Sequence, residues 1–259
     1  LKVTAEKFGL GEKVLKKTFK NEKKGLVPNT QWKKDSLGKG WVIGETLITG
    51  IGQGYIQTTP LQLCLMTAQL ANGGYKIYPR IIVSEEDETL EEIKFQIKKN
   101  QISYKKEKSG LTEASEQFLS FINEKKHEPL YRNPENIKFV LNAMFASTNE
   151  IRGTSYSSRI ENKKYQFAGK TGTSQVKRIT ESDRKLDLKT SEIPYNERDH
   201  ALYVAFGPYK NPRYALSVVI EHGGSGSSTA APMAKKLFKL IIDRHEFREK
   251  IRIKKRINI

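Results

Sequence analysis

Cysteine and long apolar runs are the scarcest features of this chain of 259 residues. The single cysteine, Cys64, excludes an internal disulfide, and its apolar helical surroundings predict a thiol buried in the core. No apolar run reaches the roughly 18 residues that a membrane-spanning helix needs, and no secretory signal peptide is visible. The histidines are dispersed, without cysteines or acids at metal-binding spacing. The sequence therefore predicts no metal site and no other cofactor.

Acidic residues are also few: 29 Asp and Glu stand against 46 Lys and Arg, which gives a formal net charge of +17. No zinc-finger spacing, RNA-recognition aromatic motif or helix-turn-helix pattern accompanies this charge. Most of the lysines are interleaved with acids, which is typical of a solvated surface. We therefore predict no nucleic-acid partner, while attraction to an anionic membrane surface or cell-wall polymer stays open.

Apolar periodicity predicts three helices, at Leu61–Leu70, Pro134–Thr148 and Pro232–Arg244. Thr58 or Thr59 can cap the first of them, with Pro60 in its first turn, and a Gly-Gly pair ends it. Residues 25–57 are rich in Gly, Pro, Asn and Thr, which predicts mostly loop. Two long polar segments, 84–133 and 177–199, interrupt the regular elements.

Three strands are predicted in the second half of the chain. One lies within residues 165–176, and His200–Gly207 and Tyr214–Glu221 form a hairpin. Together with the helices they predict an α+β fold, in which an antiparallel sheet is flanked by helices.

The first of these strands carries the most informative residues, Lys170-Thr171-Gly172-Thr173-Ser174. A lysine and two hydroxyls in succession can bind a carboxylate, and a glycine lets a substrate backbone lie close. The backbone N–H of Thr173 can serve as one donor of an oxyanion hole. Lys-Thr-Gly is the third motif of the serine acyltransferases that bind penicillin.

Three long stretches resemble, in family order, the second half of a class B penicillin-binding protein, a peptidoglycan D,D-transpeptidase. They are Trp41–Gly74 with its Gly50-Ile51-Gly52-Gln53-Gly54 run, the Lys-Thr-Gly strand, and His200–Ser228. The resemblance implies the penicillin-binding/transpeptidase (serine β-lactamase-like) fold with an incomplete sheet. It places the C-terminal part of that domain at 1–248 and a basic tail at 249–259. Since the family's first two strands would be missing, the Tyr214–Glu221 strand is expected to present a bare apolar edge.

The resemblance also implies roles for these residues. Lys170 and the Thr173 N–H would be catalytic, and Thr171, Gly172, Thr173 and Ser174 would bind the substrate. The implied partners are a peptidoglycan stem peptide ending in D-Ala-D-Ala, β-lactams, wall-elongation proteins and a missing N-terminal half. The full-length family works at the periplasmic face of the bacterial inner membrane, and this chain is expected to have no anchor of its own.

One departure from the family concerns the nucleophile, because its Ser-x-x-Lys and Ser-x-Asn/Asp motifs precede the Gly-Ile-Gly-Gln-Gly run. Here Ser-x-x-Lys spacing occurs only at Ser36/Lys39, Ser103/Lys106, Ser174/Lys177 and Ser182/Lys185. None has the context of a helix N-terminus that such a nucleophile requires, and Ser147-Thr148-Asn149 stands at the end of a predicted helix. We therefore expect a fragment that lacks its nucleophile and is inactive alone. The alternative is a non-catalytic product of a split or decaying gene that acts as a complementing or interaction module.

Overall fold

The computed structural model describes residues 1–15, 19–81, 128–177 and 188–257. The helices are α1 Lys2–Lys7, α2 Thr30–Leu37, α3 Ile43–Gly50, α4 Pro60–Ala71, α5 Pro134–Asn149 and α6 Ala231–Ile257. The strands are β1 Ala168–Ser174, β2 His200–Gly207 and β3 Tyr214–Ile220. The predicted α+β architecture is confirmed, and α4, α5 and the three strands fall close to their predicted positions.

The three strands form one antiparallel sheet in the order β1-β2-β3. Helix α6 covers one face, where Phe167, Tyr203 and Phe238 are fully buried. Helices α4 and α5 cover the other face, where Met144, Ala168 and Phe206 are buried together. The side chains of β2 thus alternate between two cores, as the period of a strand requires.

Helix α4 begins as its sequence predicts, with a capping box. Thr59 Oγ1 accepts a hydrogen bond from the Gln62 backbone N–H at 3.2 Å, and Gln62 Oε1 accepts one from the Thr59 N–H at 2.9 Å. The buried Gln62 amide also donates to the carbonyls of Glu12 and Lys24, at 2.7 and 2.8 Å. Helix α4 therefore uses a buried amide to hold the N-terminal segment.

The prediction that residues 25–57 are mostly loop missed two helices, α2 and α3, of eight residues each. Asn29 caps α2 by accepting from the Trp32 N–H at 2.8 Å, and Glu45 reaches back to the Val42 N–H at 2.9 Å at the start of α3. An ion pair between Lys33 and Glu45, both largely buried, joins the two helices. The residues that indicated loop are in part the caps that begin short helices.

The last helix is longer than predicted. Helix α6 runs from Ala231 to Ile257, past the predicted end at Arg244 and through most of the residues assigned to a basic tail. The division of the chain into 1–248 and 249–259 stays a prediction. Among the helices of the described residues, none is long and apolar enough to cross a membrane.

Cys64 is only partly buried, so the prediction of a core thiol is confirmed in part. Its Sγ lies 3.5 Å from the Ala215 carbonyl oxygen of β3. Burial raises the pKa of the thiol, which favours the unreactive protonated form.

Candidate functional site

Strand β1 presents the Lys-Thr-Gly residues to both faces of the sheet. Its pairing places Lys170 opposite Val204 and Thr171 opposite Tyr203. Lys170 and Val204 both line a cavity of about 600 Å³ on the side of α4 and α5. Because side chains alternate along a strand, the side chains of Thr171 and Thr173 leave the strand on the face of the sheet opposite to that of Lys170.

The outer edge of β1 pairs with no other strand of the described residues. Here the Gly169 N–H donates to Thr148 Oγ1 at 3.0 Å, and the Thr171 carbonyl accepts from Lys170 Nζ at 2.8 Å. The Thr173 carbonyl accepts from Gln53 Nε2 at 3.2 Å. Since every second residue of an antiparallel strand directs its N–H and C=O to the same side, the N–H of Thr173 also points to this edge.

Hydroxyl groups connect the exposed Lys170 to the end of α5. Lys170 Nζ lies 3.3 Å from Thr171 Oγ1, which in turn lies 3.3 Å from Thr154 Oγ1. Thr154 Oγ1 is 3.1 Å from Ser147 Oγ. Of the three side chains that the sequence assigned to carboxylate binding, Lys170 and Thr171 belong to this short polar chain, whereas Thr154 and Ser147 were not predicted.

A second, buried hydroxyl cluster lies behind the strand and comprises Thr148, Ser155 and Tyr203. The Tyr203 hydroxyl is 2.8 Å from Thr148 Oγ1 and 3.1 Å from Ser155 Oγ. Burial raises the pKa of Tyr203, so its hydroxyl stays protonated. A Cβ on Gly169 would come within 2.5 Å of this hydroxyl, so only glycine fits there. The cluster fixes β1 immediately before Lys170.

The Gly-Ile-Gly-Gln-Gly run forms the turn after α3. Gly52 and Gly54 have φ values of +78° and +81°, and the N–H of Gln53 between them donates to the Ile48 carbonyl at 3.0 Å. This turn directs the Gln53 amide to the Thr173 carbonyl. The run resembles the family in sequence, but no local pattern predicts this contact.

The remaining predicted residues have mainly structural contacts. Ser174 pairs with His200 at the end of β1 and is exposed. Gly172 packs against Gly226, since a Cβ added to Gly226 would lie 2.5 Å from the Gly172 carbonyl oxygen. The Asn149 amide donates to the Phe145 and Phe167 carbonyls, which gives Ser147-Thr148-Asn149 a structural role. Within the described part of the chain, no group of three or more His, Cys, Asp or Glu residues is placed to hold a metal ion.

The four Ser-x-x-Lys pairs begin in a helix, at the end of a strand, or outside the described residues. Ser36 lies near the C-terminal end of α2, although a loop was predicted there. Ser174 ends β1, and Lys177 Nζ is 2.8 Å from Glu197 Oε2. The other two pairs, Ser103/Lys106 and Ser182/Lys185, lie outside the described residues, as does most of the polar segment 84–133.

Comparison with known proteins identifies the family to which the chain belongs. The family model of the penicillin binding protein transpeptidase domain matches residues 1–239. The chain belongs to this family. A peptidoglycan D,D-transpeptidase MrdA of Salmonella typhimurium is 30% identical over 221 residues, which is 85% of this chain and 30% of that protein. The chain therefore spans less than a third of the length of this relative.

Solved structures with the same fold include two penicillin-binding proteins 2. The Pseudomonas aeruginosa protein, in complex with WCK 5153, is 32% identical with a TM-score of 0.62, and the match covers 91% of this chain and 42% of that one. The Helicobacter pylori protein, in complex with MreC, is 26% identical with a TM-score of 0.65 and coverages of 92% and 34%. The predicted family and fold are confirmed.

Proposed function

We propose that this chain forms the acyl-donor-binding part of a peptidoglycan D,D-transpeptidase. The observation that carries the proposal is the outer edge of β1, where the Thr173 N–H and C=O lie beside the exposed Lys170. An extended peptide can add to such an edge as a further strand. Family membership supports the assignment of this edge to a stem peptide ending in D-Ala-D-Ala, or to a β-lactam that mimics it.

In this proposal each residue of the motif has a distinct task. The Lys170 ammonium and the hydroxyls of Thr171 and Thr173 bind the carboxylate of the donor, since charge-assisted hydrogen bonds are the strong ones. The Thr173 N–H holds the oxygen that becomes negative as a serine attacks the penultimate carbonyl. One such donor contributes roughly 3–4 kcal/mol to transition-state stabilisation. Gly172 has no side chain and so lets the substrate backbone lie close to β1. The exposed Ser174 adds a further hydroxyl for substrate binding.

We propose that the attacking serine is none of the four Ser-x-x-Lys serines of this sequence and is supplied from outside the 259 residues. Neither Ser36 nor Ser174 has a lysine one helical turn later at a helix N-terminus. Loss of a catalytic serine lowers turnover by about a million-fold in a serine hydrolase. We therefore propose that the chain is inactive by itself.

A second candidate function is that of a complementing module, and the cavity beside Lys170 favours it. The cavity lies between α4 and α5, is lined mainly by apolar side chains, and is flanked by Phe139, whose surface is 75% exposed. A cavity of about 600 Å³ at this place has room for roughly one helical turn, such as the turn that carries a Ser-x-x-Lys motif. Supplied from another polypeptide, this helix would restore the site.

Family membership also supports a proposal for the cellular location and the partners of the protein. We propose that the protein acts at the periplasmic face of the inner membrane, in cell-wall synthesis that maintains cell shape. Wall-elongation proteins are the proposed partners, as MreC is for the Helicobacter pylori protein.

The test is the intact mass of the purified chain after exposure to a penicillin, alone and mixed with a matching nucleophile-bearing half. We expect no adduct on this chain and a stoichiometric adduct on the added half. Lys170→Ala should slow that labelling about 10- to 100-fold, because a hydrogen bond to a charged group is lost. Lys163→Ala, at an exposed lysine before β1, should not slow it. An adduct on this chain alone would contradict the proposal that its nucleophile lies elsewhere.

A further inference from the structure

The Gln53 side chain is placed on a carbonyl of β1 that a bound peptide strand would use. The Thr173 carbonyl accepts the Gln53 amide at 3.2 Å. An antiparallel peptide that directs a carbonyl to the Thr173 N–H must direct the N–H of the same residue to the Thr173 carbonyl. Gln53 and the peptide therefore approach the same carbonyl oxygen from the same open edge of the sheet.

The backbone of the turn that carries Gln53 positions its side chain beside the Thr173 carbonyl. Glycines with positive φ, Gly52 and Gly54, stand on both sides of Gln53. The Gln53 and Gly52 N–H groups donate to the carbonyls of Ile48 and Thr49, each at 3.0 Å. A Cβ on Gly54 would lie 3.2 Å from Ile48 Cγ2, so the turn also packs closely on α3. These backbone contacts do not involve the Gln53 side chain, which leaves the amide free to be displaced without unfolding the turn.

We propose that Gln53 is a specificity-determining residue, whose amide occupies the place of the donor's N–H until the donor displaces it. This rests on the proposed function, because it assumes that the donor peptide lies along β1. A ligand that offers an N–H to Thr173 replaces the lost hydrogen bond with its own. A ligand that has no N–H at that position leaves Gln53 in place and gains nothing from its removal.

The test is a titration of the purified chain, in which NMR follows the Thr173 amide resonance. One probe is diacetyl-Lys-D-Ala-D-Ala, and the other is the same peptide N-methylated at the penultimate D-Ala. Gln53→Ala should tighten binding of the unmodified peptide about 2- to 10-fold, the range expected for removal of one competing neutral hydrogen bond. Binding of the methylated peptide should change less than 2-fold. Gln57→Ala, at an exposed glutamine four residues on, is the matched control and should change neither.

Each other outcome has a definite meaning. Equal changes for both peptides, or no change for either, would overturn the role of Gln53 while leaving the donor site intact. If neither peptide shifts the Thr173 resonance in the unaltered chain or in the variant, the donor site on β1 is wrong, and the role of Gln53 falls with it. Weaker binding of the unmodified peptide to Gln53→Ala would show that Gln53 assists the donor rather than competing with it.

Discussion

Thr148 joins the end of α5 to the strand that carries Lys170. Its Oγ1 accepts from the Gly169 N–H at 3.0 Å and lies 2.8 Å from the Tyr203 hydroxyl, and all three groups are buried. A buried donor that loses its acceptor keeps the full desolvation penalty. We expect Thr148→Val, which preserves shape and removes the hydroxyl, to lower the free energy of unfolding by about 1–3 kcal/mol. Urea denaturation of the purified chain measures it.

Thr148→Ser is the control at this position, since it keeps the hydroxyl and removes one methyl group. It should retain most of the stability that Thr148→Val loses. Equal losses in the two variants would mean that packing of the methyl group, rather than the hydrogen bonds to Gly169 and Tyr203, is what Thr148 contributes.

The helix pair α2 and α3 is joined by the ion pair between Lys33 and Glu45. The hydrogen bond from Lys33 is the largest cause that lowers the pKa of Glu45 below its usual 4.5, and the Val42 N–H adds to it. A carboxyl with a lowered folded-state pKa stabilises the fold above its unfolded-state pKa, and this contribution is lost as the pH falls through the folded-state value. We therefore expect the stability advantage of the unaltered chain over Glu45→Gln to be constant near pH 7 and to shrink below about pH 4.5.

The measurement is the unfolding free energy of both proteins across pH 3–7, taken as a difference so that other acids cancel. Gln57→Ala, at an exposed glutamine, serves as the control and should give a difference that stays constant across pH 3–7. A difference between Glu45→Gln and the unaltered chain that does not change with pH would show that the ion pair adds nothing.

At the scale of the whole molecule, both outer edges of the sheet pair with no further strand among the described residues. Strand β3 forms one of them, as the sequence predicted, and its Val219 is 37% exposed. Unpaired apolar edges favour association with another chain. We expect the purified chain to self-associate at high concentration and Val219→Lys to reduce this association, as measured by sedimentation velocity.

Ile43→Lys is the matched control, because Ile43 is also an exposed apolar residue but lies on α3, away from the sheet edges. If both variants reduce association equally, net charge is responsible rather than the edge. A chain that stays monomeric at high concentration would show that the edge of β3 does not mediate self-association.

The accuracy with which the sequence alone predicted helices and strands depended on the kind of element. Strong local patterns placed α4, α5 and the β2–β3 hairpin almost to the residue, because a period of 3.6 or 2 and a capping Thr59 or Asn133 act within a few positions. The short helices α2 and α3 were missed, since eight residues give little periodicity and their ion pair forms only when both have folded.

The sequence by itself determined the family, the strand that carries Lys170 and the order of the elements, because these depend on residues that are neighbours in the chain. Only the tertiary structure decided that Thr148, Ser155 and Tyr203 share one buried cluster, and that Gln53 lies against Thr173. The contact between Gln53 and Thr173 joins residues that are 120 positions apart. Such contacts depend on how helices and sheet pack, and no local pattern encodes the distance between two atoms that packing brings together.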